Sequence, residues 1–162
     1  MFRRQKQKRV WLKVGYLIHI AQMIEYNIVN IIAGNKFLKD LDLQKAMTFE
    51  EYELRAVKSN KILHNLSDGK TMGQVVSAAK CANLFSDYLA SEIDRIKARR
   101  DYYAHTFYKE ILFTNDFEAN PSKLIKQLDK DISDFCAVNE KLLAIDRGQR
   151  KLANEAKNKI LS

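Results

Sequence analysis

Apolar residues recur along this chain at steps of three, four and seven, the period of a helix, and no stretch alternates like a strand. From about Gln7 to Ala33 one stripe is formed by Val10, Val14, Leu17, Ala21, Ile24, Ile28 and Ile32. Leu12, Tyr16 and Met23 add a second stripe on the far side. Gly34 stands just beyond as a left-handed stop. Such a helix is roughly 40 Å long. A helix apolar on two faces is either buried in the middle of a bundle or covered by a second copy of the protein.

A linker is expected over Asn35–Met47. Thr48 and Glu51 then have the spacing of a capping box, opening a helix that carries Phe49, Tyr52, Ala56, Leu63 and Leu66 and stops at Ser67-Asp68-Gly69. Thr71 and Gln74 repeat that spacing before a short helix through Val75, Val76 and Ala79. The next helix starts between Leu84 and Leu89 and reaches Ile111 or Leu112. A turn follows from Asn115 to Asn120, where Asn120-Pro121 reads as an N-cap with proline at the first helical position. The last long helix turns Leu124, Leu128, Ile132, Phe135, Leu142 and Ile145 inward, and Gly148 breaks or ends it before a basic final segment. These elements predict an all-α fold: an up-and-down antiparallel helical bundle with two long helices and several shorter ones, a single domain over 1–162.

Composition narrows the class. The chain is 46% hydrophobic and 30% charged, with five Gly and one Pro, which suits a folded helical protein and not a disordered chain or a turn-rich β-sandwich. Its 162 residues can bury roughly 70% of the unfolded surface. Cys81 and Cys136 lack CxxC companions and read as idle or buried thiols of a reducing compartment. The most apolar stretch, Val10 to Ala33, is interrupted by Lys13, His19, Gln22, Glu25 and Asn27, so neither a membrane span nor a secretory signal is expected. The expected location is cytoplasmic, away from any membrane.

The net charge of +8 is carried by the ends. Residues 1–24 hold Arg3, Arg4, Lys6, Lys8, Arg9 and Lys13 and no acid. Residues 147–162 hold Arg147, Arg150, Lys151, Lys157 and Lys159 against Glu155 alone. Basic ends suit a polyanion, whose displaced counterions give affinity without sequence specificity, and they equally suit plain solubility.

No phosphate-binding glycine loop, dinucleotide fingerprint or nucleophile elbow is present. The three histidines and two cysteines show no zinc spacing. Neither a metal nor a cofactor is called for. The informative stretch is RIKARRDYYAHTFYKE at 95–110. Leu89, Ile93, Ile96, Tyr103, Phe107 and Ile111 share one helical stripe, and Arg100 falls within it. An arginine at a buried phase is unusual, because a guanidinium is rarely buried without a partner. On a straight helix His105 stands about 140° from Arg100, on a face shared with Asp101 and Tyr108. Convergence of the two needs a kink near His105 or a two-fold partner.

These residues resemble the HEPN superfamily (higher eukaryotes and prokaryotes nucleotide-binding). Its core is Arg-polar-x-x-x-His, here Arg100, Asp101 and His105, with the aromatics Phe107 and Tyr108 behind. The phrase Lys70-Thr71-Met72-Gly73-Gln74-Val75-Val76 is similar to the TLGQLI segment that precedes the core in some small bacterial members. The resemblance implies an all-helical homodimer whose two motifs meet at a cleft. Many members are metal-independent endoribonucleases, often toxins or phage-defence effectors. Others bind nucleotides or are inactive partners of a minimal nucleotidyltransferase. By position, Arg100 would hold the scissile phosphate, His105 would move the proton, and Asp101 would fix the histidine or the 2′-hydroxyl. In nucleotidyltransferase-paired members a tyrosine two after the histidine is modified; here Phe107 occupies that place and Tyr108 the next.

The remaining candidates have plainer roles beside the functional ones. Tyr102 and Tyr108 can stack on RNA bases, while Tyr103 and Phe107 are assigned to the core. Lys97, Arg99 and Arg95 either extend a phosphate track or form a solvated face paired with Glu92 and Asp94. His64 complements a helix C-terminus, His19 packs with Leu12, Tyr16 and Met23, and Trp11 packs in a core or interface. The expected function is RNA cleavage by a homodimer with a composite site, with an antitoxin or nucleotidyltransferase as a further partner. The alternatives are a non-catalytic helical interaction module, or a nucleic-acid binder without cleavage.

Overall fold

A computed structural model of the chain describes residues 2–41, 47–68, 70–113 and 120–162. Among the described residues there are six α-helices and no strand, and the fold is an all-α bundle. They are α1 (Phe2–Asp40), α2 (Phe49–Ser67), α3 (Met72–Cys81), α4 (Asp87–Asp101), α5 (Phe107–Phe113) and α6 (Pro121–Leu161), with a π turn over Tyr102–Thr106 between α4 and α5. The chain divides into two compact units: residues 1–24 with 88–139, and residues 25–87 with 140–162.

In the first unit, α1 and α6 run in the same direction. Lys6 Nζ donates to Ser122 Oγ at 3.0 Å and Lys13 pairs with Asp129, both across the same 116-residue offset. Against α6, α4 runs antiparallel, since Arg95 meets Asp134 at 3.4 Å and the later Arg99 meets the earlier Asp131 at 3.0 Å. Val10, Val14, Leu17, Ile93, Ile96, Tyr103, Phe107, Leu128 and Phe135 are buried. In the second unit, α2 runs antiparallel to α1: the Arg55 guanidinium donates to the Asp40 carbonyl, and Ser59 Oγ donates to Ala33 O at 2.9 Å. Phe37, Leu41 and Ala156 form its small buried cluster, with Tyr52 edge-on to Phe37.

The helix starts follow their local chemistry. Both capping boxes form, Thr48 with Glu51 and Thr71 with Gln74, so the first-turn amides are satisfied by side chains. α6 begins at Pro121, as the Asn120-Pro121 pair predicts. The turn expected at Asn115–Asn120 lies, up to residue 119, outside the described residues. α3 closes on Asn83 in the left-handed region (φ 51°), with Leu84 N–H donating to Ala79 O.

Two local expectations about helix ends need correction. α1 does not stop at Gly34 but continues to Asp40. Gly34 is a packing glycine: a Cβ there would lie 2.5 Å from Gln149 Oε1, whose Nε2 donates to Ile31 O at 3.2 Å. Phe37 and Leu41 continue the buried side beyond it, which outweighs the cost of a mid-helix glycine. α6 likewise passes through Gly148, braced by the Asp146–Arg150 pair at 2.7 Å. The second apolar stripe of α1 is exposed in the single chain, with Leu12 at 63%, Tyr16 at 53% and Met23 at 41%, and His19 beside it is exposed too. By length and composition α1 is apolar enough to cross a membrane, a test that core helices also pass; half of its most apolar window is buried in the protein.

Candidate functional site

The site is built where α4 ends. The predicted stripe is real: Leu89, Ile93, Ile96, Tyr103, Phe107 and Ile111 are all buried. The helix does not stay regular, however. Phe107 N–H donates to Tyr102 O, five residues back, and the segment Tyr102–Thr106 is a π turn. The turn interrupts the regular 100° step between Arg100 and His105, which itself lies within it.

A buried acid fixes the turn. Asp131 of α6 is 2% exposed and accepts from Tyr103 Oη at 2.5 Å and from Gln127 Nε2 at 3.1 Å, while pairing with Arg99 at 3.0 Å. Burial, followed by the bond to this carboxylate, raises the Tyr103 phenol well above its ordinary value. Sequence reasoning missed Asp131 by turning Ile132 inward in its place. The signal was available: Asp131 stands three after Leu128 and four before Phe135, an acid at the apolar phase of its helix just as Arg100 is a base at the apolar phase of α4.

Arg100 is partly buried and bonds its neighbour, with Nη1 3.0 Å from Asp101 Oδ1. Lys97 reaches the other oxygen of the same carboxylate at 3.2 Å. Burial alone would raise the Asp101 pKa; the hydrogen bonds and charges of Arg100 and Lys97 outweigh it and hold the carboxyl below its usual range. Asp101 therefore braces the guanidinium. It does not orient His105 as expected: His105 is exposed on the π turn, and no hydrogen bond or ion pair joins it to Asp101 or Arg100. The segment carries a braced cation and an exposed imidazole, groups able to hold a phosphate and to move a proton.

The other candidates divide. Arg99 is engaged by Asp131, and Arg95 by Asp134. These four residues, with Ile96, Lys130 and Phe135, line a small cavity of about 70 Å³. Tyr102 Oη donates to Glu110 Oε2 at 2.7 Å, and burial together with that carboxylate pushes its phenol up to about 12. Tyr108 stacks on Trp11 of α1, with centroids 4.6 Å apart and rings within 7° of parallel, and remains 43% exposed. Trp11 thus packs against a candidate base-stacking residue, a contact between two distant parts of the sequence that no local pattern announces.

No family model matches this chain, and neither a curated protein nor a solved structure matches it.

Proposed function

We propose that the chain is a HEPN-type endoribonuclease, metal-independent and cytoplasmic, working as a homodimer in a toxin or phage-defence role. The observation that supports this reading is a carboxylate-braced Arg100 five residues before an exposed His105, on a segment whose helical regularity a π turn over Tyr102–Thr106 interrupts. π turns are rare and concentrate at functional positions. In the proposed reaction the RNA 2′-oxygen attacks the adjacent phosphorus while His105 takes its proton. The bond from phosphorus to the 5′-oxygen breaks, and the leaving oxygen is protonated by water or by the partner's His105. Arg100, held by Asp101, neutralises the charge that builds on the phosphate oxygens. The products are a 2′,3′-cyclic phosphate and a 5′-hydroxyl. A two-fold partner laying its own copy of this face opposite would complete a composite site, with Arg100 from one chain and His105 from the other.

The test is incubation of RNA in EDTA with wild type, Arg100→Ala and His105→Ala. Cleavage by wild type alone supports the enzyme. Intact RNA throughout favours the second reading, a non-catalytic helical interaction module whose partner is an antitoxin or a nucleotidyltransferase. That reading draws on the exposed apolar stripe of Leu12, Tyr16 and Met23, a surface of the kind partner helices cover.

A further inference from the structure

The basic start of α1 is placed against the chemistry of its own helix. No acid stands in the first turn, and cations there oppose the positive end of the helix dipole. Lys6 and Lys13 are engaged by Ser122 and Asp129 on α6. Arg4, Lys8 and Arg9 are exposed and have no acid partner among the described residues. Arg4, Lys8, Trp11 and Gly15 succeed one another at steps of four, three and four, so they share an arc of about 60° on the helix. A Cβ built at Gly15 would meet nothing within 4 Å, so the arc is open at its far end. Trp11 is the fixed point: its stack on Tyr108 ties this arc to the segment three residues past His105.

We propose that this arc, Arg4–Lys8–Trp11 with Tyr108, is the track that receives the single-stranded RNA flanking the cleaved phosphate, an inference that rests on the ribonuclease reading above. The two exposed cations take backbone phosphates, and the half-buried Trp11 with the exposed Tyr108 takes a base. From Arg4 to Gly15 the track is roughly 17 Å long, the length of about five stacked nucleotides at 3.4 Å each. It accounts for charge held against the helix dipole, and it joins the basic start of the chain to the motif some ninety residues later.

Trp11 is the only tryptophan, so its fluorescence reports directly on the track. The full chain carrying His105→Ala, which leaves RNA uncut, is titrated with a 12-nucleotide single-stranded RNA at several salt concentrations. Binding is expected to change Trp11 emission, with an affinity that falls steeply as salt rises. In Arg4→Ala/Lys8→Ala the slope of log K against log salt should shrink by about 1.4, two phosphates at about 0.7 each. The thermal midpoint of that variant should hold or rise, because the removed charges oppose the dipole, so weakened binding is not unfolding. RNA that binds without moving Trp11 emission, or with an unchanged salt slope in the double variant, overturns the track. Emission that answers to anionic phospholipid vesicles and not to RNA assigns the arc to a membrane surface and overturns it equally. Because binding is read on a variant that cannot cut, a wild type without nuclease activity sinks the reaction alone; an active wild type with an unchanged slope sinks the track alone.

Discussion

The hydroxyl of Tyr103 donates a 2.5 Å hydrogen bond to the carboxylate of Asp131, and both residues are 2% exposed. One partner belongs to the π turn and the other to α6, so a single buried bond sets where the irregular turn lies. Tyr103→Phe keeps the ring and deletes the donor. It is expected to lower stability by about 1–3 kcal/mol, the cost of leaving part of a buried carboxylate unsatisfied. Thermal unfolding of the pair checks this, and an unchanged midpoint would show that the bond does not hold the turn.

Gly34 makes a second packing prediction. Gly34→Ala places a methyl 2.5 Å from Gln149 Oε1, so the variant should be destabilised although alanine is the better helix former. Shortening the opposing side chain should relieve the clash. The double variant Gly34→Ala/Gln149→Ala is therefore expected to be more stable than the two single effects added together, as a double-mutant cycle in denaturant would measure. Strict additivity would mean that the two residues do not touch.

The phenols predict the alkaline behaviour. Burial first, then Glu110, raises the Tyr102 phenol to about 12, above its ordinary value of about 10. A raised phenol is held neutral by the fold, so its contribution is full below pH of about 10 and is lost as pH climbs through the folded value. Native protein should ionise its tyrosines later than the denatured chain, and Tyr102→Phe should remove part of that lag. A native titration above pH of about 10 that is the same in wild type and variant would contradict the Tyr102–Glu110 bond.

Asp101 predicts the opposite limb. Its carboxyl is held low by Arg100 and Lys97 against the effect of burial, so its stabilising contribution is present above the ordinary carboxylate pKa and fades as pH falls through the folded one. Asp101→Asn should therefore cost stability at neutral pH and progressively less below pH of about 4. The gap between wild-type and variant midpoints, followed from pH 7 downward, checks the sign.

Most of the fold was legible because apolar period and capping chemistry are local. Thr48 with Glu51, Thr71 with Gln74, and Asn120 with Pro121 announce three helix starts from four residues or fewer. Gly34 misled because a glycine that ends a helix and a glycine that admits a neighbour look alike until Gln149 is in place. The site was half legible. Arg100 stood out as a charge at a buried phase, and its phase difference from His105 called for either a kink or a two-fold partner. That the irregularity is a π turn depends on Tyr103 finding Asp131, 28 residues away, and no local rule supplies that partner. The Trp11–Tyr108 stack was out of reach for the same reason.

The proposed composite site has one direct measurement. Arg100→Ala and His105→Ala, each inactive alone, are mixed and allowed to exchange subunits before RNA is added in EDTA. A site shared between chains regenerates one intact Arg–His pair in every mixed dimer, so cleavage should return to roughly a quarter of the wild-type level with cyclic-phosphate ends, given random pairing. A mixture as silent as its two components, beside an active wild type, would contradict a site drawn from two subunits.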